Sequence, residues 1–295
     1  MAKTRKILER LGAVRNIRTV TKTMEMVAAA RFMRSHQAVQ ATRRYAVRLT
    51  RLLADMARRN PKGLDHPLLR PSDVQHDLLL VLTSDRGLCG GYNSSVIQVA
   101  MERLGQLLRT GYKVSLRVVG KRGVRYFEHR AFGVDQAYVD VPVSRQAGRP
   151  HYGAIVTIAD AVMDDFRAGK ISGFEVAYMQ FLSSASQRPA IAQVLPLEGV
   201  EEEAEEPEAQ VPYEFMPDSE EILNELLPAA VRMRLYQCFV DALVAEQAMR
   251  IKAMGAATES ADEMIADLRK QYNRTRQAQI TTELAEIMGG REGMD

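Results

Sequence analysis

Residues 83–93 read TSDRGLCGGYN and close the apolar run 77–83, which has the length of a strand. A glycine-rich turn after a strand is where α/β folds hold phosphate on backbone N–H groups, so nucleotide chemistry is the first expectation to weigh. The residue types do not support it. No Lys-Ser or Lys-Thr follows the glycines, the GxGxxG spacing is absent, and no acidic ribose partner follows a second strand. The segment reads instead as a tight turn whose glycines supply positive φ. His36, His66, His76, His129 and His151 show no HxxxH or HExxH spacing, and no Ser, His and Asp arrangement suggests a nucleophile. Cys89 and Cys238 fit no CxxC or metal spacing and read as small buried hydrophobes in a reducing compartment. The residues thus name no catalytic group, no cofactor and no metal ligand.

The elements around the turn alternate between strand and helix. A helical stretch at 94–109 follows it, with Val96, Val99, Leu104 and Leu107 at helical spacing; 113–119 reads as a second strand and a short helix lies near Tyr126. Residues 134–141 read as a third strand, 153–166 as a helix, and 174–181 as a strand joined by a Ser-rich turn to another at 191–195. This pattern predicts a central Rossmann-like α/β domain over 74–197, with a partly parallel sheet and an antiparallel end.

Both flanks of that domain are helical. Residues 4–58 hold no proline, and Ile7, Leu11, Val14, Ile17, Val20, Met24, Val27 and Ala28 recur at steps of three and four, predicting an N-terminal helix over 1–60. At the other end Pro228 reads as the first turn of a long helix that the Gly289-Gly290 pair closes, after a short helix capped by residues 218–221. Its apolar positions are Val231, Leu235, Cys238, Ala242, Ala245, Met249, Ala253 and Ala256, then Met264, Ile265, Leu268 and Tyr272. A helix from 228 to 288 would be roughly 90 Å long, so it must leave its own globular body. The expectation is a long antiparallel two-helix coiled coil formed by the N- and C-terminal helices (1–60 and 218–295), the second projecting beyond the first. Both stripes are rich in Ala, Met and Thr, which lets helix axes approach closely but buries little area per turn. Between the domain and the second helix, residues 198–217 form an acidic linker: seven glutamates occupy the eleven positions 198–208, a composition that stays solvated.

Composition excludes some classes. Hydrophobic residues make up 46% and charged residues 26%, ordinary for a soluble chain, and there is no tryptophan. No apolar run reaches membrane-spanning length and the opening MAKTRKILERLG lacks a secretory core, so the expectation is a chain on a cytosolic face without direct membrane insertion. Net charge is only +3, yet the first helix is strongly basic, with Arg31, Arg34, Arg43, Arg44, Arg48 and Arg51 among its cations. Such a helix suits nucleic acid or acidic protein surfaces, and a basic coiled-coil nucleic-acid-binding protein is the alternative reading. With only Phe32 and Tyr45 available to stack on bases there, the expectation is no nucleic acid.

Three segments resemble one family. Residues 21–30 (TKTMEMVAAA), the turn 83–93 and residues 272–290 (YNRTRQAQITTELAEIMGG) together are similar to the gamma subunit of F-type ATP synthase, in family order and at both ends and the centre. The resemblance implies a central rotor shaft, non-catalytic itself, turning inside a ring of alternating alpha and beta subunits. The α/β domain would form the foot against the epsilon subunit and the membrane c-ring. Rotation of that ring by protons or sodium ions would be coupled to ATP synthesis, on the cytoplasmic face of the bacterial plasma membrane. Carried over residue by residue, the resemblance gives Lys22, Met24, Arg276, Gln277, Thr281 and Glu283 as contacts to the alpha/beta ring, and Tyr213 as a contact of the foot to the rotor ring. The chain departs from the family pattern at Thr23, Ser260 and Met216, where the family commonly has Ala, Asn and an acidic residue.

Overall fold

The computed structural model describes residues 2–59, 66–70, 72–128, 135–143, 149–197 and 219–292. Two long helices flank a mixed sheet: α1 (Ala2–Arg59) at the start and α5 (Ser219–Glu292) at the end. Between them lie β1 (His76–Leu82), α2 (Tyr92–Arg109), β2 (Lys113–Val119), α3 (Lys121–Glu128), β3 (Asp135–Tyr138), α4 (Tyr152–Arg167), β4 (Gly173–Phe181) and β5 (Gln187–Leu195). The described chain divides into two compact units: Met1–Ala28 with Arg250–Asp295, and Ala29–Met249.

The larger unit is organised by a sheet of order β3-β2-β1-β4-β5, parallel throughout except for the β4–β5 pair. Parallel strands are covered on both faces, so β1 needs no alternation; Leu78 to Leu82 are all buried, and β4 is buried along nearly its whole length. Amphipathic α2 buries Val96, Ile97, Ala100, Leu104 and Leu107, and α4 buries Ile155, Ala159, Val162, Met163 and Phe166. From α5, Leu223, Leu227, Val231 and Leu235 join the same core at four-residue steps, as do Val39, Leu53 and Met56 of α1. One charge is buried with its partner here: Arg103 of α2 donates from Nε to Glu175 Oε2 on β4 at 2.7 Å and from Nη2 to the other oxygen. A second joins three elements, since Arg43 of α1 donates to the Phe181 carbonyl of β4 and to Asp241 Oδ1 of α5 at 3.4 Å.

The smaller unit is a pair of helical segments. Thr4 Oγ1 donates to Gln279 Oε1, Arg18 Nε to Asp262 Oδ1, and Thr258 Oγ1 to Thr21 Oγ1. As one number rises the other falls, so the segments run antiparallel. Their apolar seam is short: Leu11 and Val14 meet Ala261, Ile265 and Leu268, with Ile7 at its edge.

Two readings from the sequence are corrected at the ends of α5. Residues before Pro228 do not form a separate helix; α5 is continuous from Ser219 with Pro228 inside it. Proline removes one hydrogen bond, but the burial of Leu223 and Leu227 against the sheet core holds the preceding turns helical. Nor does the Gly289-Gly290 pair close the helix, which runs on to Glu292; each glycine costs only about 1 kcal/mol in a helix interior. The apolar stripes are corrected too. Ile17, Val20 and Val27 are exposed on α1, as are Ala256 and Met264 on α5, and the seam passes instead through Thr21, Met254 and Thr258. Steps of three from Val14 to Ile17 to Val20 drift off a seam that continues at Arg18 and Thr21, four and seven residues on.

Candidate interaction site

The turn at 83–93 is closed by its own side chains. Thr83 donates its N–H to the Val119 carbonyl at 2.8 Å, and its Oγ1 accepts the Gly123 N–H at 2.9 Å. Asn93 Oδ1 accepts the Ser84 N–H at 2.9 Å, Asp85 Oδ1 the Lys121 N–H at 3.2 Å, and the Ser84 carbonyl the Arg122 N–H at 3.1 Å. The amides of Thr83, Ser84, Lys121, Arg122 and Gly123 at this corner are thereby occupied. Gly120 is required at the same corner: it sits at φ +92°, and a Cβ there would lie 2.1 Å from the Thr83 carbonyl oxygen. Leu88 adopts φ +63° and is 60% exposed, unusual for a branched residue. The cysteines are both buried, and burial pushes the Cys238 thiol up to about 12, so it stays protonated and unreactive at neutral pH. Among the described residues no His, Cys, Asp or Glu group could hold a metal ion, and no helix is long and apolar enough to cross a membrane.

The paired helical segments present a different surface. All six residues assigned to ring contact lie in this unit, but the structure does not gather them into one patch. Extending the register of the pairs 4/279, 18/262 and 21/258 sets Lys22 and Met24 level with 255–258, and Arg276 and Gln277 level with Ile7 and Lys6. At 1.5 Å per residue the two groups stand roughly 27 Å apart along the helices. They form two belts. In the first, Lys22 Nζ pairs with Glu25 at 3.2 Å and keeps its side chain half exposed, while Met24 is half-buried. In the second, Arg276, Gln277, Thr281 and Glu283 are all exposed. Gln277 and Thr281 share a face four residues apart, with Thr281 Oγ1 donating to the Gln277 carbonyl at 2.9 Å. Arg276 and Glu283, seven apart, share another, and Glu283 accepts from Gln279 Nε2 at 2.9 Å. The register places Glu283 beyond the first residue of α1, Ala2, so among the described residues only α5 lies at that level. Tyr213 lies outside the described residues.

Sequence reasoning missed an exposed face of α1 that runs through the first belt. Ile17, Val20, Met24 and Val27 follow one another at three and four residues and so share a face of α1, and Ile17 and Val20 are 55% and 57% exposed. This is a continuous apolar stripe beside the seam, not in it. The periodicity was visible in the sequence; what it could not show is that the helix partner takes the neighbouring face. Ile280 and Leu284 add exposed apolar side chains on α5 near the second belt.

The comparisons with known proteins agree with this architecture. An ATP synthase family model matches residues 3–294. The chain is 36% identical to the ATP synthase gamma chain of Rhodopirellula baltica, covering all of both chains, and 36% identical to that of Anaeromyxobacter dehalogenans, again over the whole of both. In fold it is similar to a chain of the Euglena gracilis mitochondrial ATP synthase rotor, with a TM-score of 0.63 at 18% identity, covering 95% of this chain and 99% of that one. It is also similar to a chain of the Tetrahymena thermophila mitochondrial ATP synthase central stalk and c-ring, with a TM-score of 0.56 at 21% identity, covering 81% and 99%. With a family model spanning residues 3–294 and relatives matched from end to end, the chain belongs to the ATP synthase gamma chain family.

Proposed function

We propose that the chain is the central stalk of an F-type ATP synthase, coupling ion-driven rotation of a membrane c-ring to the conformational cycle of an alpha/beta catalytic ring. It is a non-catalytic subunit of a rotary motor, associated peripherally with the membrane through its partners. The paired helices stand inside the alpha/beta ring, with Lys22, Met24, Arg276, Gln277, Thr281 and Glu283 at the contacts; the sheet unit is the foot, against the epsilon subunit and, through Tyr213, the c-ring. The foot faces the cytoplasmic side of the bacterial plasma membrane, and the translocated ion is a proton or sodium. For domain limits we take 1–60 and 218–295 as the coil, 74–197 as the foot and 198–217 as its acidic linker.

The observation that carries this reading is the exposed apolar stripe on α1 that runs through the level of Lys22. Contiguous apolar surface on a slender pair of helices marks a protein contact. Because the two belts lie on different helices and at different heights, the surface of the stalk is not the same all round, and surrounding subunits that each meet a different side of it are biased into different states. The test is single-molecule rotation of a bead fixed to the sheet unit in assembled complexes. Truncation from Ile280 should lower torque and loosen coupling while rotation persists, and truncation back past Arg276 should do both severely. Unchanged torque after the short truncation would show the tip to be structural only. Failure of the chain to assemble with alpha, beta and epsilon partners would overturn the stalk reading itself.

A further inference from the structure

We infer that the register of the two paired helical segments is set by polar rungs and by charges that forbid the adjacent registers, and that Arg18, Thr21, Thr258 and Asp262 are its positioning residues. The apolar seam alone is a poor ruler. It consists of Leu11, Val14, Ala261, Ile265 and Leu268, and a shift of one heptad brings Leu268, Tyr272 and Thr275, or Met254, Thr258 and Ala261, to the same face, with no charge among them. The rungs are not interchangeable in that way. Thr258 is buried, and its hydroxyl lies 2.8 Å from Thr21 Oγ1 and 2.8 Å from the Met254 carbonyl, while Thr21 donates to the Arg18 carbonyl at 3.0 Å. One turn away Arg18 Nε meets Asp262 Oδ1.

The two neighbouring registers fail for different reasons. Sliding α5 one heptad so that Arg18 faces position 269 sets it against Arg269, and at the same time brings Glu25 opposite Asp262. Two attractive or neutral meetings become two like-charge pairs. Sliding it the other way sets Arg18 against Gly255 and Asp262 against Leu11, and puts the Thr258 hydroxyl against Val14 and that of Thr21 against Ile251. Both charges then lack partners and the hydroxyls meet aliphatic side chains. An exposed ion pair such as Arg18–Asp262 adds little to stability, because water and salt screen it. Its effect on register is larger than its effect on stability, since it counts once for the native pairing and again as repulsion in the shifted one. The same register decides that the Lys22 belt and the Arg276 belt keep their spacing along the stalk.

Spin labels on the full chain test this directly, at Arg10→Cys and Lys252→Cys with Cys89 and Cys238 replaced by Ala. The two positions are offset along the axis, so a one-heptad slip changes their axial separation by about 10 Å. Wild-type rungs should give one distance. Glu25→Lys with Arg269→Glu leaves every native rung in place but makes the first shifted register attractive, and should add a population about 10 Å longer. Thr21→Val with Thr258→Val should broaden the distribution, and Thr258→Ser should restore the single distance. A single native distance in both the charge-exchanged and the double valine variants would show that the seam alone fixes register. If the double valine variant loses helix content, the charge-exchanged chain, whose rungs are intact, decides alone.

Discussion

The two units are stabilised in opposite ways. In the sheet unit, strands such as β1 and β4 are buried on both faces and Phe174, Leu79 and Ile155 have no exposed surface. In the paired helices a handful of apolar residues meet, and side chains as large as Ile17 and Val20 face outward. The first arrangement gives a body that holds its shape alone; the second leaves surface for others to cover. Burial of about 25 cal/mol per Å² favours the first, and only a partner can supply the equivalent to the second.

The contrast is sharpest where the core is deepest. Phe174→Ala should destabilise the sheet unit by about 3–5 kcal/mol, by lost transfer energy and the cavity left behind, measured by urea unfolding. Removing Arg103 as Ala should cost slightly less, about 3 kcal/mol, because Glu175 is left buried without its partner; Glu175→Gln in the Arg103→Ala background should recover part of the loss. A smaller effect is expected in the paired helices, where Ile265→Ala should cost about 2 kcal/mol, since the short seam can close around the gap.

Acid offers a finer probe. Asp241 is 2% exposed, and burial pushes its carboxyl up to about 6 against an ordinary 3.8, with Arg43 pulling the other way. A raised folded value means the protonated form is favoured by folding, so the stability this group contributes is full below about pH 4 and is lost as pH rises toward 6. Wild type minus Asp241→Asn, compared by urea unfolding across pH, should therefore fall between those values and level off above them. A flat difference would show that folding leaves the Asp241 carboxyl at its ordinary value. The smallest effect on stability, within about 0.5 kcal/mol, belongs to Ile17→Ser with Val20→Ser, because both are already in water. Its assembly with alpha and beta subunits should nonetheless weaken, and unimpaired assembly would remove the stripe from the interface.

How far the sequence revealed this differs between the two units for a physical reason. Strands β1 and β2 were readable to within a residue, because a doubly buried strand is a continuous apolar run with turns at both ends. The first half of β5 was not, since Arg188 and Pro189 sit on an edge strand whose outer N–H groups need no partner. Along the helices, periodicity found the apolar faces but not which of two adjacent faces meets the partner. That choice rests on Thr21 and Thr258, whose hydroxyls carry no hydropathy signal. The division of the six residues singled out by resemblance into two belts likewise needs the register, which no single helix contains.

The corner at residues 83–93 has a consequence for anyone who would redesign this domain. Its outline is that of a phosphate cradle, yet giving it that activity would mean more than adding a lysine. A ligand that drew on the amides of Gly123, Lys121 or Ser84 would first have to free them from Thr83, Asp85 and Asn93, and Gly120 admits no replacement beside the Thr83 carbonyl. Each release would loosen the junction of β1, β2 and α3. Acquiring a ligand here and keeping the sheet unit stiff are therefore competing demands on the same few hydrogen bonds.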